Sequence, residues 1–311
     1  MDHQKEKFLQ IFNSLDFNKI TDHPNILIAA SFFDPDRYCA AKSFYKFMRA
    51  IDDLIDNHKA VNRRIVPEER MQFEVNVNNW LKMIQVAEDC PPDQKELTGI
   101  MERFRIPHWP LESFARSMIY DINNDGFASL KDFFDYAQGA SVAPASIFVH
   151  LAGLTEQNGN YSEPVFDVRE SATPCAIFSY LVHIIRDFQK DQLANLNYFA
   201  EDLTKKYSLS KHDLREIAYG HPAGSNFRNL VEEYLTIADE YRIKTFEVIK
   251  KIRPLMTPRY QLSLDIIFEL YLMVYERIDV VKGNFSAEEL NPSPEETRKR
   301  VYDTIMNFPS D

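Results

Sequence analysis

The chain has 311 residues, 45% of them hydrophobic and including 23 Phe and 15 Tyr, enough to bury a large core in one helical domain or two smaller ones. Its formal net charge is −11, and no run of Lys and Arg is interleaved with aromatics, which excludes nucleic acid as a partner. Cys39, Cys90 and Cys175 are too few and too scattered for a disulfide framework or a zinc site, which fits a reducing compartment.

Glycine is scarce, at 8 residues, and the apolar spacing is helical rather than alternating, so the chain reads as all-α. The N-terminus, Met1-Asp2-His3-Gln4-Lys5-Glu6-Lys7, is charged and lacks the apolar core of a signal peptide. No stretch approaches the roughly 20 apolar residues needed to cross a bilayer. A soluble, cytoplasmic protein is expected. Helices are expected over 5–14, 36–57, 67–88, 93–104, 110–122, 130–153, 164–192, 199–207, 210–219, 225–253, 257–282 and 294–307. Ordinary stop signals separate them, among them Pro91-Pro92, Asn124-Asp125-Gly126, Gly159-Asn160, Gly220-His221-Pro222 and Gly283-Asn284. No low-complexity linker divides the chain, so residues 1–311 are expected to form a single domain.

Two short acidic segments carry the chemistry. At about 100° per residue, Asp52 and Asp56 share one helix face, and so do Asp187 and Asp191. Like charges at that spacing repel by a few tenths of a kcal/mol, so two such pairs set in apolar helices call for an outside cation. Oxygen ligands without a His or Cys cluster favour a hard ion, Mg2+ before Zn2+. In the first helix Tyr45, Arg49, Asp52 and Asp56 form one narrow polar stripe, with Phe44, Met48, Ile51 and Ile55 beside it. In the second, Tyr180, His183, Asp187 and Asp191 form another amid Ile177, Phe178, Leu181, Val182, Ile184 and Ile185. The plain alternative is a surface helix with incidental pairs, Arg49 on Asp52 or Asp53 and Arg186 and Lys190 on Asp187 and Asp191.

Residues 121–132 fit most of an EF-hand loop, with oxygen side chains at positions 1, 3, 5 and 9 and Gly126 at position 6. The twelfth position holds Asp132 in place of Glu, and no second loop accompanies it. A helix C-terminal turn with Gly126 in a left-handed conformation is the simpler reading.

With both stripes in hand, the chain resembles the squalene/phytoene synthase family of head-to-head prenyl synthases, from about residue 25 to about residue 285. The family's first motif, Tyr-x-x-x-Arg-x-x-Asp-Asp-x-x-Asp, is reproduced by Tyr45, Arg49, Asp52, Asp53 and Asp56. Its second runs Gln-x-x-Asn-Ile-x-Arg-Asp-x-x-Glu-Asp and continues to Gly-Arg-x-Tyr; Ile184, Arg186, Asp187, Asp191 and Tyr198 match it. Ser31 and Phe32 sit near a Ser-Phe segment, Asp121 falls on an acidic position of the helix between the motifs, and Tyr271 on a late tyrosine. The chain departs at Tyr180 for Gln, His183 for Asn, Lys190 for Glu and Leu196 for Arg. The small-residue run of the middle helix survives as Gly139, Ala140, Ser141, Ala143 and Ala145, interrupted by Pro144.

The resemblance implies an isoprenoid-synthase-like helical bundle around a central cavity. It also implies condensation of two allylic diphosphates of fifteen or twenty carbons through a cyclopropylcarbinyl diphosphate. Asp52, Asp53, Asp56, His183, Asp187 and Asp191 are then the metal side, for Mg2+. Arg49, Arg186, Lys190, Tyr180 and Tyr198 are the substrate side, with Lys190 standing in part for the missing guanidinium. Tyr45 and Tyr271 flank the cation formed when the C–O bond breaks. Apolar and aromatic residues around 26–51, 133–154, 176–185 and 262–275 supply the tunnel. An NADPH-dependent step stays open, because the family uses no Gly-rich dinucleotide fingerprint. The partners implied are prenyl diphosphates and a peripheral membrane contact for product release; the oligomeric state is unknown. The rivals are an elongating prenyl synthase or terpene cyclase, and a catalytically silent family member that binds lipid or an assembly partner.

Overall fold

The computed structural model describes residues 3–19, 24–62, 64–83 and 92–309. The chain forms α1 (His3–Ser14), α2 (Pro24–Ala30), α3 (Pro35–Asn62), α4 (Pro67–Lys82), α5 (Pro92–Phe104), α6 (Trp109–Asn123) and α7 (Leu130–Ala137). A π-helical turn at Gln138–Val142 leads into α8 (Ala143–Gly153), and then come two short strands, β1 (Thr155–Gln157) and β2 (Asn160–Ser162). There follow α9 (Val168–Arg186), α10 (Phe188–Leu193), α11 (Glu201–Lys206), α12 (Lys211–Ala218) and α13 (Ser225–Ile252). A 3-10 turn at Arg253–Leu255 precedes α14 (Pro258–Tyr275), α15 (Ala287–Leu290) and α16 (Pro294–Asn307). The all-α reading holds, the two strands being a single antiparallel hairpin. Cys90, Pro91 and the end of the helix expected over 67–88 lie outside the described residues.

Helix α3 positions the first acidic stripe, and its start is set locally. Pro35 occupies the first turn, where its missing N–H costs nothing. The Asp34 carboxylate accepts hydrogen bonds from the Asp36 and Arg37 backbone N–H groups, at 3.1 and 3.0 Å. The helix then runs 28 residues, about 42 Å at 1.5 Å per residue. Arg37, Ala40, Phe44, Met48, Ile51, Ile55 and Lys59 are its buried positions, three or four residues apart. That spacing makes one inward stripe, and Asp52 and Asp56, each one residue on, follow its edge.

The expected helix over 130–153 is locally rewound rather than straight. The π turn sits where Gly139 presses against α6: a Cβ added there would lie 2.0 Å from the Ser113 carbonyl oxygen and 2.2 Å from Ser117 Oγ. Ser117 Oγ donates to the Tyr136 carbonyl at 2.7 Å, and Ser141 Oγ donates to the Ala176 carbonyl at 2.9 Å. These bonds tie α6 to α7 and the π turn to α9, and Pro144 opens the next helix.

The helix expected over 164–192 breaks at Asp187, whose φ of −91° and ψ of 0° close α9 and open α10. Hydrogen bonds from Asp187 N–H to His183 O and from Asp191 N–H to Asp187 O, both 2.8 Å, keep the acids one turn apart across the break. Asn158 and Gly159, at φ +52° and +79°, turn β1 into β2. Asn-Gly between short strands is the sequence signature of such a turn, and reading Gly159-Asn160 only as a helix stop overlooked it. Helix α2 was also not expected.

Because the Gly139 contact is backbone against backbone, Gly139→Ala should lower stability by about 1–3 kcal/mol, the usual range for overpacking. Urea denaturation of the two proteins measures this, and an unchanged midpoint would contradict the packing.

Candidate active site

A cavity of about 710 Å3 runs through the bundle, walled by residues of α3, α8, α9, α10, α13 and α14. Of the residues singled out from the sequence, Tyr45, Arg49, Asp52, Asp56, Tyr180, His183, Arg186, Asp187, Lys190, Asp191, Tyr198 and Tyr271 all line it. Asp53 does not. Its carboxylate turns to Arg49, whose Nη2 lies 2.6 Å away, and it is more exposed than Asp52.

The first motif holds more negative charge than it can balance. Arg49 Nη1 donates to Asp52 at 2.8 Å while its Nη2 serves Asp53, so one guanidinium is shared between two carboxylates. Asp56 has no hydrogen bond or ion pair among the described residues. Burial drives its pKa well above the usual carboxylate range, and the neighbouring Asp52 and Asp121 drive it further. Asp52 rises for the same leading reason, restrained by Arg49.

Behind these acids lies a buried pair that sequence reading did not propose. Lys59 Nζ donates to Asp121 Oδ1 at 2.9 Å and to the Asn124 carbonyl at 2.8 Å. The other Asp121 oxygen accepts from the Tyr136 hydroxyl at 2.9 Å, and Tyr136 lines the cavity. The only signal was positional: Lys59 lies one turn beyond Asp56, on the buried stripe of α3. The same bonds answer the calcium-loop reading. Asp121 is engaged with Lys59, Asn123 with Glu74 and Asn124 with Tyr120, while Asp132 caps α7 through Ser129. Gly126 has φ +125°, as a turn glycine does.

The second motif is closer to neutral. Arg186 grips its neighbour Asp187 through Nε and Nη2, at 2.8 and 2.6 Å. Burial pushes Asp187 up, but the guanidinium outweighs it and the carboxyl ends below its ordinary value. Asp191 has no hydrogen bond or ion pair among the described residues; burial and Asp187 push it up to about 7. The His183 ring meets Tyr271 edge to face, 5.1 Å between centroids. Tyr198 joins the two motifs, since both Asp56 and Asp191 raise its pKa after burial has done so.

Tyr136, Tyr180 and Tyr198 form a packed phenol cluster, with centroids 6.3 Å apart for Tyr136–Tyr180 and 6.5 Å for Tyr180–Tyr198. Burial first, and nearby acids second, hold all three well above the usual phenol range, so they stay neutral. Away from the acids the wall is apolar, including Phe44, Met48, Phe148, Ile249, Leu264 and Ile267. The arrangement is a charged end that can take a hard cation and an anionic group, opening onto a largely apolar, aromatic-lined space. Among the described residues no three His, Cys, Asp or Glu side chains converge as a ready-made metal cage. No helix among them is long and apolar enough to cross a membrane.

The fold is an all-α bundle of the isoprenoid-synthase kind, with the two acidic motifs on one cavity. The chain belongs to the squalene/phytoene synthase family, whose profile matches residues 23–296. Among solved structures it is similar to a dehydrosqualene synthase in complex with a ligand, at 16% identity, TM-score 0.68 and coverage of 96% of each chain. It is also similar to the squalene synthase HpnC from Alicyclobacillus acidocaldarius, at 13% identity and TM-score 0.64, covering 88% of this chain and 91% of that one. YisP from Bacillus subtilis matches at 13% identity and TM-score 0.62, over 96% and 98%. No curated protein sequence matches the chain.

Two outcomes follow. Lys59→Met leaves Asp121 buried without its cation, and removing one partner of a buried pair costs about 3–5 kcal/mol; thermal or urea unfolding measures it. Because Asp191 has a raised pKa in the fold, its contribution to stability is full below the unfolded value near 3.8 and is lost as pH rises through about 7. Asp52 and Asp56 act in the same direction. The melting temperature of metal-free protein should therefore fall between about pH 4 and pH 7, and the slope should lessen in Asp191→Asn.

Proposed function

We propose that the chain joins two prenyl diphosphates head to head through a cyclopropylcarbinyl diphosphate, giving a squalene- or phytoene-type product, with Mg2+ at the acidic end of the cavity. One observation carries this reading. Two carboxylate pairs and two arginines line a single cavity whose remaining wall is largely apolar and aromatic. The donors suit Mg2+, which is commonly held by one or two carboxylates together with substrate phosphates rather than in an all-protein cage. Asp56 and Asp191, the raised and unpartnered acids, are the first candidates, with Asp52 and Asp187 beside them. When bound, the ion neutralises diphosphate charge as the C–O bond ionises.

The protein's own residues do the rest. Arg49 and Arg186 present planar N–H forks toward the mouth and can share them with phosphate oxygens. As the C–O bond breaks, its electron pair leaves with the diphosphate and an allylic cation remains. Tyr45, Tyr180 and Tyr271 offer ring faces to that cation, a contact worth about 2 kcal/mol where water is absent. The apolar wall keeps water from capturing it.

Incubating purified protein with Mg2+ and farnesyl or geranylgeranyl diphosphate tests the reaction. Released pyrophosphate together with a hexane-extractable thirty- or forty-carbon product is expected. A cyclic terpene or a one-unit chain extension would assign the cavity to a cyclase or an elongating synthase instead, and no turnover would make the chain a binding protein.

Neutralising the acids should separate activity from stability. Asp56→Asn and Asp187→Asn should each lower turnover roughly 10²–10³-fold, the range seen when one preorganised electrostatic group is removed. On repulsion alone both variants would keep their stability, but only Asp56→Asn should, and it should melt higher than wild type near pH 8. Asp187→Asn strips Arg186 of its carboxylate and should melt lower. Equal melting temperatures would contradict the charge balance described above.

A further inference from the structure

Three cations line the cavity: Arg49, Arg186 and Lys190. Arg49 is divided between Asp52 and Asp53, and Arg186 is bound twice to Asp187. The Lys190 ammonium makes no hydrogen bond or ion pair with any described residue, although Asp187 and Asp191 stand three residues before it and one after. It is exposed at the cavity mouth, on the six-residue α10 that begins where α9 breaks. The two acidic ends therefore differ. On α3, one guanidinium, Arg49, stands among three carboxyl groups, Asp52, Asp53 and Asp56. On α9 and α10, Arg186 and Lys190 offset Asp187 and Asp191, and one of those positive charges is uncommitted.

We propose that Lys190 is a direct diphosphate ligand, so that phosphate is held by protein at the α10 end while divalent metal is recruited chiefly by the α3 end. This rests on the reading of the cavity as a prenyl diphosphate site and assigns its two halves different tasks. Lysine suits the role as a mobile point charge with three donors, able to follow phosphate oxygens without the fixed geometry of a guanidinium. An exposed ammonium pairs weakly with carboxylates across solvent, so it is free to exchange them for a multiply charged anion. The arrangement has a consequence that a purely metal-bridged site lacks: the protein binds pyrophosphate without divalent metal.

Calorimetry of the full chain with inorganic pyrophosphate, in EDTA and at low salt, tests this. Wild type should bind measurably. Lys190→Ala should weaken binding about tenfold or more, as loss of one charged hydrogen bond implies, and Lys190→Arg should retain most of it. Lys190→Glu puts a third carboxylate beside Asp187 and Asp191; it should lose metal-free pyrophosphate binding and gain Mn2+ affinity, read from the resonance of the free ion. Because Lys190 is exposed, Lys190→Ala and Lys190→Arg should melt with wild type. No metal-free binding by wild type, or equal affinity in wild type and Lys190→Ala, would overturn the assignment. The product assay is independent. Lys190-dependent pyrophosphate binding without hydrocarbon product would leave this inference standing and remove the condensation reading, and the opposite result would do the reverse.

Discussion

Everything at the acidic end of this cavity depends on keeping three half-buried carboxylates, Asp52, Asp56 and Asp121, close together in an apolar bundle. Burial raises the cost of ionising Asp52 and Asp56, and Asp121 adds to it for both, as Asp52 does for Asp56. The fold supplies two cations against them. Arg49 lies on the same helix and holds Asp52 from within the stripe. Lys59 reaches across from α3 to α6 and fixes Asp121 from behind. Asp56 is left with neither. A carboxylate so placed either stays protonated or takes a cation from solution, and the rest of α3 keeps it from turning away. Capping by Asp34 starts the helix, and the stripe from Ala40 to Lys59 clamps one side of it along nearly its whole length.

The two acidic motifs look alike in sequence and differ in electrostatics. On α3 the arginine precedes its acids by one turn and is shared, leaving surplus charge. On α9 the arginine adjoins its acid in sequence, which a continuous helix would have pointed elsewhere. At the end of α9 the two side chains nevertheless pair, Arg186 Nη2 lying 2.6 Å from the Asp187 carboxylate. Asp187 ends below its usual pKa and Asp191 near neutrality, although the two are separated by one turn. Identical spacing therefore gives one acid already satisfied and one still open.

The parts of this architecture that were legible in sequence are those fixed by local periodicity. The 3.6-residue spacing of Tyr45, Arg49, Asp52 and Asp56 places them on one face whatever surrounds α3. Most helix limits follow from Pro and Gly in the same way. Interactions that depend on tertiary contact left no such trace. Lys59 and Asp121 are 62 residues apart, and nothing near either one announces the other. Asp53 matches its motif as well as Asp52 does, yet the wheel position that turns it from the cavity matters only once the bundle has formed. Gly139 reads as one more small residue until α6 packs 2.0 Å from where its Cβ would stand. The Asn158-Gly159 turn was legible and was outweighed by the helical pattern around it, a misreading of a local signal rather than a missing one.

The tyrosines complete the physical argument. Tyr136, Tyr180 and Tyr198 crowd the region between the two motifs, where ordinary polar residues would demand hydrogen bonds and charged ones would upset the balance. A phenol meets that demand with one hydroxyl, as Tyr136 does on Asp121, and turns the remaining ring toward the cavity. Burial beside carboxylates holds these hydroxyls protonated, so none of them adds to the negative charge that the acids already carry. Their rings still present a negative face to any cation in the cavity, without being anions that could trap it covalently. The bundle thus grades from carboxylates through neutral phenols to aliphatic wall. That order lets an acidic end and an apolar wall occupy neighbouring turns of the same helices.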